Sequence, residues 1–125
     1  MLVSVVHPAI FANMVNKAMS IKRVRDMLSV YSAEEFVLMR CYAVSNLTAG
    51  FAIKNDGDLV NFFNASGIRR LGIILVKEAI ELGATKLDCF YPWLPLYYAA
   101  NGFVEYKREA NWTVGEPDVS YMRVK

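Results

Sequence analysis

Between Leu59 and Phe90 the spacing of apolar residues changes twice, and that change restricts the fold more than any other feature of the chain. Leu59–Asn64 reads as a strand. From Gly72 the apolar residues Ile73, Leu75, Val76, Ala79, Ile80 and Leu82 recur at helical spacing as far as Gly83, a residue suited to end a helix. Lys86–Phe90 then reads as a strand again. Strand, helix, strand implies a crossover, with the two strands expected to run parallel. An all-helical domain and an all-β domain are thereby excluded.

The flanking segments extend this unit. Leu2–Val6 is a short β-branched strand stopped by Pro8, and Ile10, Met14, Val15, Ala18, Ile21, Val24, Met27 and Leu28 follow as one bent helix or two short ones. Its polar side carries Lys17, Lys22, Arg23 and Arg25, a solvated face. Glu35–Val44, Ala49–Ile53 and Leu59–Asn64 read as an antiparallel meander, with turns at Asn46-Leu47-Thr48 and at Lys54-Asn55-Asp56-Gly57-Asp58. Pro92–Asn101 reads as a short helix ended by Gly102, and Phe103–Glu109 and Val119–Val124 as two last strands joined through Gly115-Glu116-Pro117-Asp118. The expectation is a single α/β domain over residues 1–125, three layers deep, with a mixed, mostly antiparallel sheet and a central parallel strand-helix-strand unit.

Composition narrows the function. A chain of 125 residues that is 55% hydrophobic can bury a core without disulfides or a metal, and its two cysteines, Cys41 and Cys89, are too few for a disulfide scaffold. The net charge of +2 is spread over both halves, which argues against nucleic acid as a partner. No apolar run approaches the ~20 residues of a membrane-spanning helix. The first residues show neither a basic leader nor a cleavage site, so a cytoplasmic location with both thiols reduced is expected. The triplets Asn46-Leu47-Thr48, Asn64-Ala65-Ser66 and Asn111-Trp112-Thr113 match a glycosylation pattern, which has no meaning in that compartment.

The chemistry is concentrated where the strand hands over to the helix. Gly67-Ile68-Arg69-Arg70-Leu71-Gly72 precedes a helix N-terminus, where unpaired backbone N–H groups and the positive end of the helix dipole suit a diphosphate, and Arg69 and Arg70 add charge. A plain turn and cap is the other reading of the same residues.

Asn64–Leu82, Lys86-Leu87-Asp88-Cys89-Phe90 and Leu96-Tyr97-Tyr98-Ala99-Ala100-Asn101-Gly102-Phe103, in this order, resemble the two signature segments of the GNAT superfamily of N-acetyltransferases. By element order the resemblance covers nearly the whole chain, and its most specific part is the run Tyr98–Phe103. It implies acetyl-coenzyme A as cosubstrate, its pyrophosphate held by Gly67, Ile68, Arg69, Arg70, Leu71 and Gly72 and its pantetheine arm paired with the strand end Phe62, Phe63 and Asn64. It implies Tyr98 as the general acid for the departing thiolate, no metal, and an amine-bearing small molecule or protein as acceptor. The sequence departs from the family pattern at Arg70, where glycine is usual, and at Tyr91, where the family often has asparagine. The alternative is therefore a non-catalytic binding or regulatory protein with a decayed cofactor loop.

No general base stands out. His7, Glu34, Glu35, Asp58 and Asp88 are the candidates, and Cys89 reads as a small buried apolar residue rather than a nucleophile. The acceptor side in such a fold falls on Ala9–Val30 and Glu109–Val119, and the last strand, Val119–Val124, leaves a homodimer open.

Overall fold

The computed structural model describes residues 1–25 and 27–125. In chain order the elements are β1 (Val3–Val5), α1 (Pro8–Ala18), α2 (Lys22–Arg25), α3 (Ala33–Val37), β2 (Met39–Val44), β3 (Ala49–Lys54), β4 (Leu59–Asn64), α4 (Leu71–Glu81), β5 (Lys86–Phe90), α5 (Trp93–Ala99), β6 (Phe103–Glu109) and β7 (Val119–Val124). They fall into two compact units, Met1–Ala84 and Thr85–Lys125.

In the first unit β1, β2, β3 and β4 form a sheet in that order, every pair antiparallel. Because side chains alternate across a strand, Cys41, Ala43 and Ala52 share one face. There they join Phe11, Met14, Val15 and Ala18 of α1 and Phe36 of α3 in one apolar cluster. Phe11 meets Phe36 edge-on at 5.1 Å between ring centroids. The alternate residues Tyr42 and Phe51 stack toward Phe62, at 5.5 Å and 6.0 Å, on the opposite face. α4 packs on β3 and β4 and buries Leu75, Val76 and Ala79. Helices on both faces explain why β2, β3 and β4 are apolar almost throughout rather than at every second residue.

β4 carries one extra residue. Gly50 pairs with Phe63 and Ala52 with Val60, so Asn61 and Phe62 together stand opposite Phe51. Asn61 takes a left-handed backbone (φ 48°), the usual signature of a bulge. The slip puts Val60 and Phe63 on the same face, with the α1 cluster. Across the sheet, a Cβ at Gly50 would strike the Tyr42 carbonyl oxygen, so only glycine fits there. The edge strand is anchored from outside the sheet: the Val3 N–H donates to Oε1 of Glu78, a buried carboxylate on α4, at 3.1 Å.

In the second unit β7 lies between β5 and β6, antiparallel to both. α5 packs on β5 and β6, and Leu87, Tyr98, Phe103, Val119 and Met122 are buried. Glu105 ties the strands together. It accepts Ser120 Oγ at 2.8 Å and both Nε and Nη2 of Arg108 at 2.9 and 3.0 Å, and Arg108 lies over the Tyr91 ring, 3.9 Å from its centroid.

The spans of β4, β5, β6 and β7 agree with the sequence reading. Two expectations need correction. Glu35–Val37, read as the start of a strand, lies in α3: Ser32 Oγ accepts the Glu35 N–H at 3.1 Å while Glu35 Oε1 accepts the Ser32 N–H at 3.0 Å, a reciprocal cap that overrides the β-branched run behind it. The parallel pairing expected of β4 with β5 is not among the ladders of the described residues; β4 closes one sheet and β5 edges another, and every ladder is antiparallel.

Candidate cofactor loop and active-site tyrosine

The segment between β4 and α4 is organised by its own polar side chains. Asn64 closes β4, and its Oδ1 accepts both the N–H and the hydroxyl of Ser66, while its Nδ2 donates to the Ile68 carbonyl at 2.8 Å. Ser66 Oγ in turn accepts the Ile68 N–H at 3.0 Å. Two short side chains thus fold the loop back on itself, as Asn and Ser do when they mimic backbone turns. Gly67, at φ 81°, takes a conformation that side chains resist, with open space on its Cβ side. On the far flank, the Ala65 N–H donates to the Thr48 carbonyl at 2.8 Å and fixes the loop to the β2–β3 turn.

α4 then begins without a side-chain cap; Arg70 occupies the cap position with helical dihedrals. The start of an 11-residue helix therefore keeps donor capacity for an anion. Arg69 and Arg70 are exposed beside it, as is Ile68. Gly72, expected at the edge of the loop, is the second residue of α4 and is buried. Leu75 and Val76 are buried and Lys77 is exposed, the pattern required by the alignment that sets Gly72 at the end of the phosphate loop.

Phe62 and Phe63 are buried on opposite faces of the bulged strand end, so their side chains serve the core and only their backbone is available to a ligand. The bulge residue Asn61 has a further role that was not foreseen. Its Oδ1 accepts the Ser29 N–H at 2.7 Å and its Nδ2 donates to the Ser29 carbonyl at 3.1 Å, a two-point clamp on the segment after α2. That segment forms one wall of a cavity of about 620 Å³ lined by, among others, Ala12, Asn13 and Asn16 of α1, Tyr31, Ser32 and Phe36. The only hint in the sequence was a polar residue in the middle of an apolar strand.

Tyr98 belongs to the second unit. It is buried, with its ring edge-on to Phe103 at 5.8 Å and to Tyr97 at 5.2 Å. Burial pushes its phenol well above the ordinary value, reinforced by Cys89 and Tyr97, so the hydroxyl stays protonated throughout the neutral range. Cys89 is itself pushed up to about 12 by burial, then by Asp88 and Glu105, which removes it as a thiolate nucleophile. His7 is the N-cap of α1: its Nδ1 accepts the Ala9 N–H at 3.1 Å, a structural use. Glu34 and Glu35 lie in the first turn of α3, where their charge complements the helix dipole.

No family model matches the chain, and no curated protein matches it. Solved structures do. A chimeric spermidine N-acetyltransferase from Vibrio cholerae superposes with a TM-score of 0.66 at 13% identity, over 99% of this chain and 95% of that one. A Bacillus subtilis acetyltransferase in complex with CoA gives 0.57 at 14% identity over 98% and 97%. An acetyltransferase of the GNAT family from Streptococcus pneumoniae gives 0.62 at 17% identity over 97% and 96%. Over nearly its full length, the chain has the fold of the GNAT N-acetyltransferases.

Proposed function

We propose that this protein moves an acetyl group from acetyl-coenzyme A to a primary amine on a small molecule or a protein. The observation that carries the reading is the braced, uncapped loop at the start of α4, in a chain whose fold is shared with acetyltransferases. The backbone N–H groups of Gly67–Gly72 would receive the pyrophosphate, with Arg69 and Arg70 adding charge. The backbone of Phe62, Phe63 and Asn64 would pair with the pantetheine arm. Bound acetyl-coenzyme A supplies an activated thioester. Tyr98 holds its proton at neutral pH and would donate it, or a strong hydrogen bond, to the sulfur as the carbon–sulfur bond breaks. The proton leaving the attacking amine passes to water, since no buried base of the ordinary kind faces Tyr98 among the itemised contacts of the described residues.

The test is the thermal midpoint with and without acetyl-coenzyme A, because ligand at 100 times its Kd adds about 2.7 kcal/mol of stability. An upward shift, with turnover that drops at least about tenfold in Tyr98→Phe while the shift persists, supports the reading. No shift at millimolar cofactor refutes it and favours the second reading, a binding protein of this fold whose loop has lost the cofactor; the arginine at the helix cap, Arg70, is the observation on that side.

A further inference from the structure

The structure ties the proposed cofactor strand to a second place where a ligand can sit. Asn61 is buried and immediately precedes Phe62–Asn64, and its side-chain amide spends both its donor and its acceptor on the backbone of Ser29. Those two bonds hold the start of the wall Val30–Tyr31–Ser32. The opposite wall is the face of α1 bearing Ala9, Ala12, Asn13 and Asn16, and the floor is Val15 and Phe36. Exposed polar groups in this lining are amides and hydroxyls; it contains no carboxylate, lysine or arginine. A polyamine bound there would have no anion to pair with its extra charges, and a dicarboxylate would have no cation. An aliphatic or aromatic body would find Ala12, Val15, Met19 and Phe36.

Resting on the acetyl-transfer reading, we infer that this cavity receives the body of the acceptor, a primary amine with an apolar chain or ring and no second charge, and that Asn61 is the positioning residue that sets its wall. The left-handed backbone of Asn61 makes the coupling specific. The bulge turns its side chain off the ladder to reach Ser29, while the strand continues into the stretch assigned to the cofactor.

Acetylation of phenethylamine and of spermidine by the full chain is measured alongside calorimetric titration with coenzyme A, for the wild type, Asn61→Ala, Asn61→Gly and Ala12→Phe. Asn61→Gly keeps the left-handed backbone unstrained and guards against a variant that merely fails to fold. The wild type is expected to favour phenethylamine over spermidine at least about tenfold in kcat/KM. Asn61→Gly is expected to raise KM for phenethylamine about tenfold, as loss of two hydrogen bonds implies, with coenzyme A affinity unchanged. Ala12→Phe, which fills the cavity, is expected to do the same with the clamp intact. Preference for spermidine, or an Asn61→Gly or Ala12→Phe enzyme with unchanged amine KM, overturns the inference while leaving acetyl transfer standing. Absence of coenzyme A binding in the wild type overturns the transferase reading itself, and the inference with it.

Discussion

Replacing Asn64 by alanine tests whether the loop ahead of α4 is built in advance of any ligand. The substitution removes three side-chain hydrogen bonds, two accepted from Ser66 and one donated to the Ile68 carbonyl. Asn64 is only half-buried, so water replaces part of what is lost, and a net cost of about 1–2 kcal/mol follows. For a domain of this size that lowers Tm by roughly 4–8 °C. The larger effect should be on the ligand. Freed of its brace, the loop must be ordered by the pyrophosphate, and coenzyme A affinity should fall about tenfold. Asn64→Asp separates the two effects. It keeps the acceptors for Ser66, so Tm should fall less, yet it sets a negative charge where phosphate is proposed to bind and should weaken coenzyme A at least as much. Differential scanning fluorimetry and calorimetric titration read both quantities. A coenzyme A Kd unchanged in both variants, with Tm lowered in Asn64→Ala, would refute the reasoning, because the brace would then be serving stability alone.

Phe11→Ala should cost about 3–5 kcal/mol in urea unfolding, since the ring is fully buried between Phe36 and Phe63 and nothing adjacent can collapse into its place. Alkaline stability should be limited by the thiols. Burial holds Cys41 at about 11 against an ordinary 9.0, so the unfolded chain releases this proton first and stability declines as pH rises from 9 towards 11. Unfolding midpoints across that range should fall less steeply for Cys41→Ala than for the wild type; parallel slopes would exclude the thiol as the cause.

Much of the architecture was legible because period and punctuation agree. The Asn-Asp-Gly turn at 55–57, Gly83 and Gly102 mark ends that the backbone requires, and the strands between them are apolar enough to leave no other period. α3 was missed because Phe36-Val37-Leu38 reads as β-branched and apolar, whereas the deciding bonds come from Ser32 and Glu35. The site was legible in part. The helix start could be read from Gly72 and the apolar positions after it, but the brace on the loop was hidden in a triplet, Asn64-Ala65-Ser66, that also fits a glycosylation pattern. The Asn61 clamp could not be read at all: its partner lies 32 residues away, and the bulge that aims it depends on which residue of β3 it faces.

That bulge also makes β4 unusually intolerant of a change in length. With Asn61 deleted, every position would keep its chemistry and the strand its composition, but the residues after the gap would exchange sides, sending Phe62 to the α1 cluster and Phe63 to α4. Variation in this strand is therefore constrained by counting before it is constrained by residue type. A lineage could trade one large apolar side chain for another along Leu59–Asn64 at modest cost, whereas a one-residue deletion there would unmake two packed layers and the mouth of the loop in a single step.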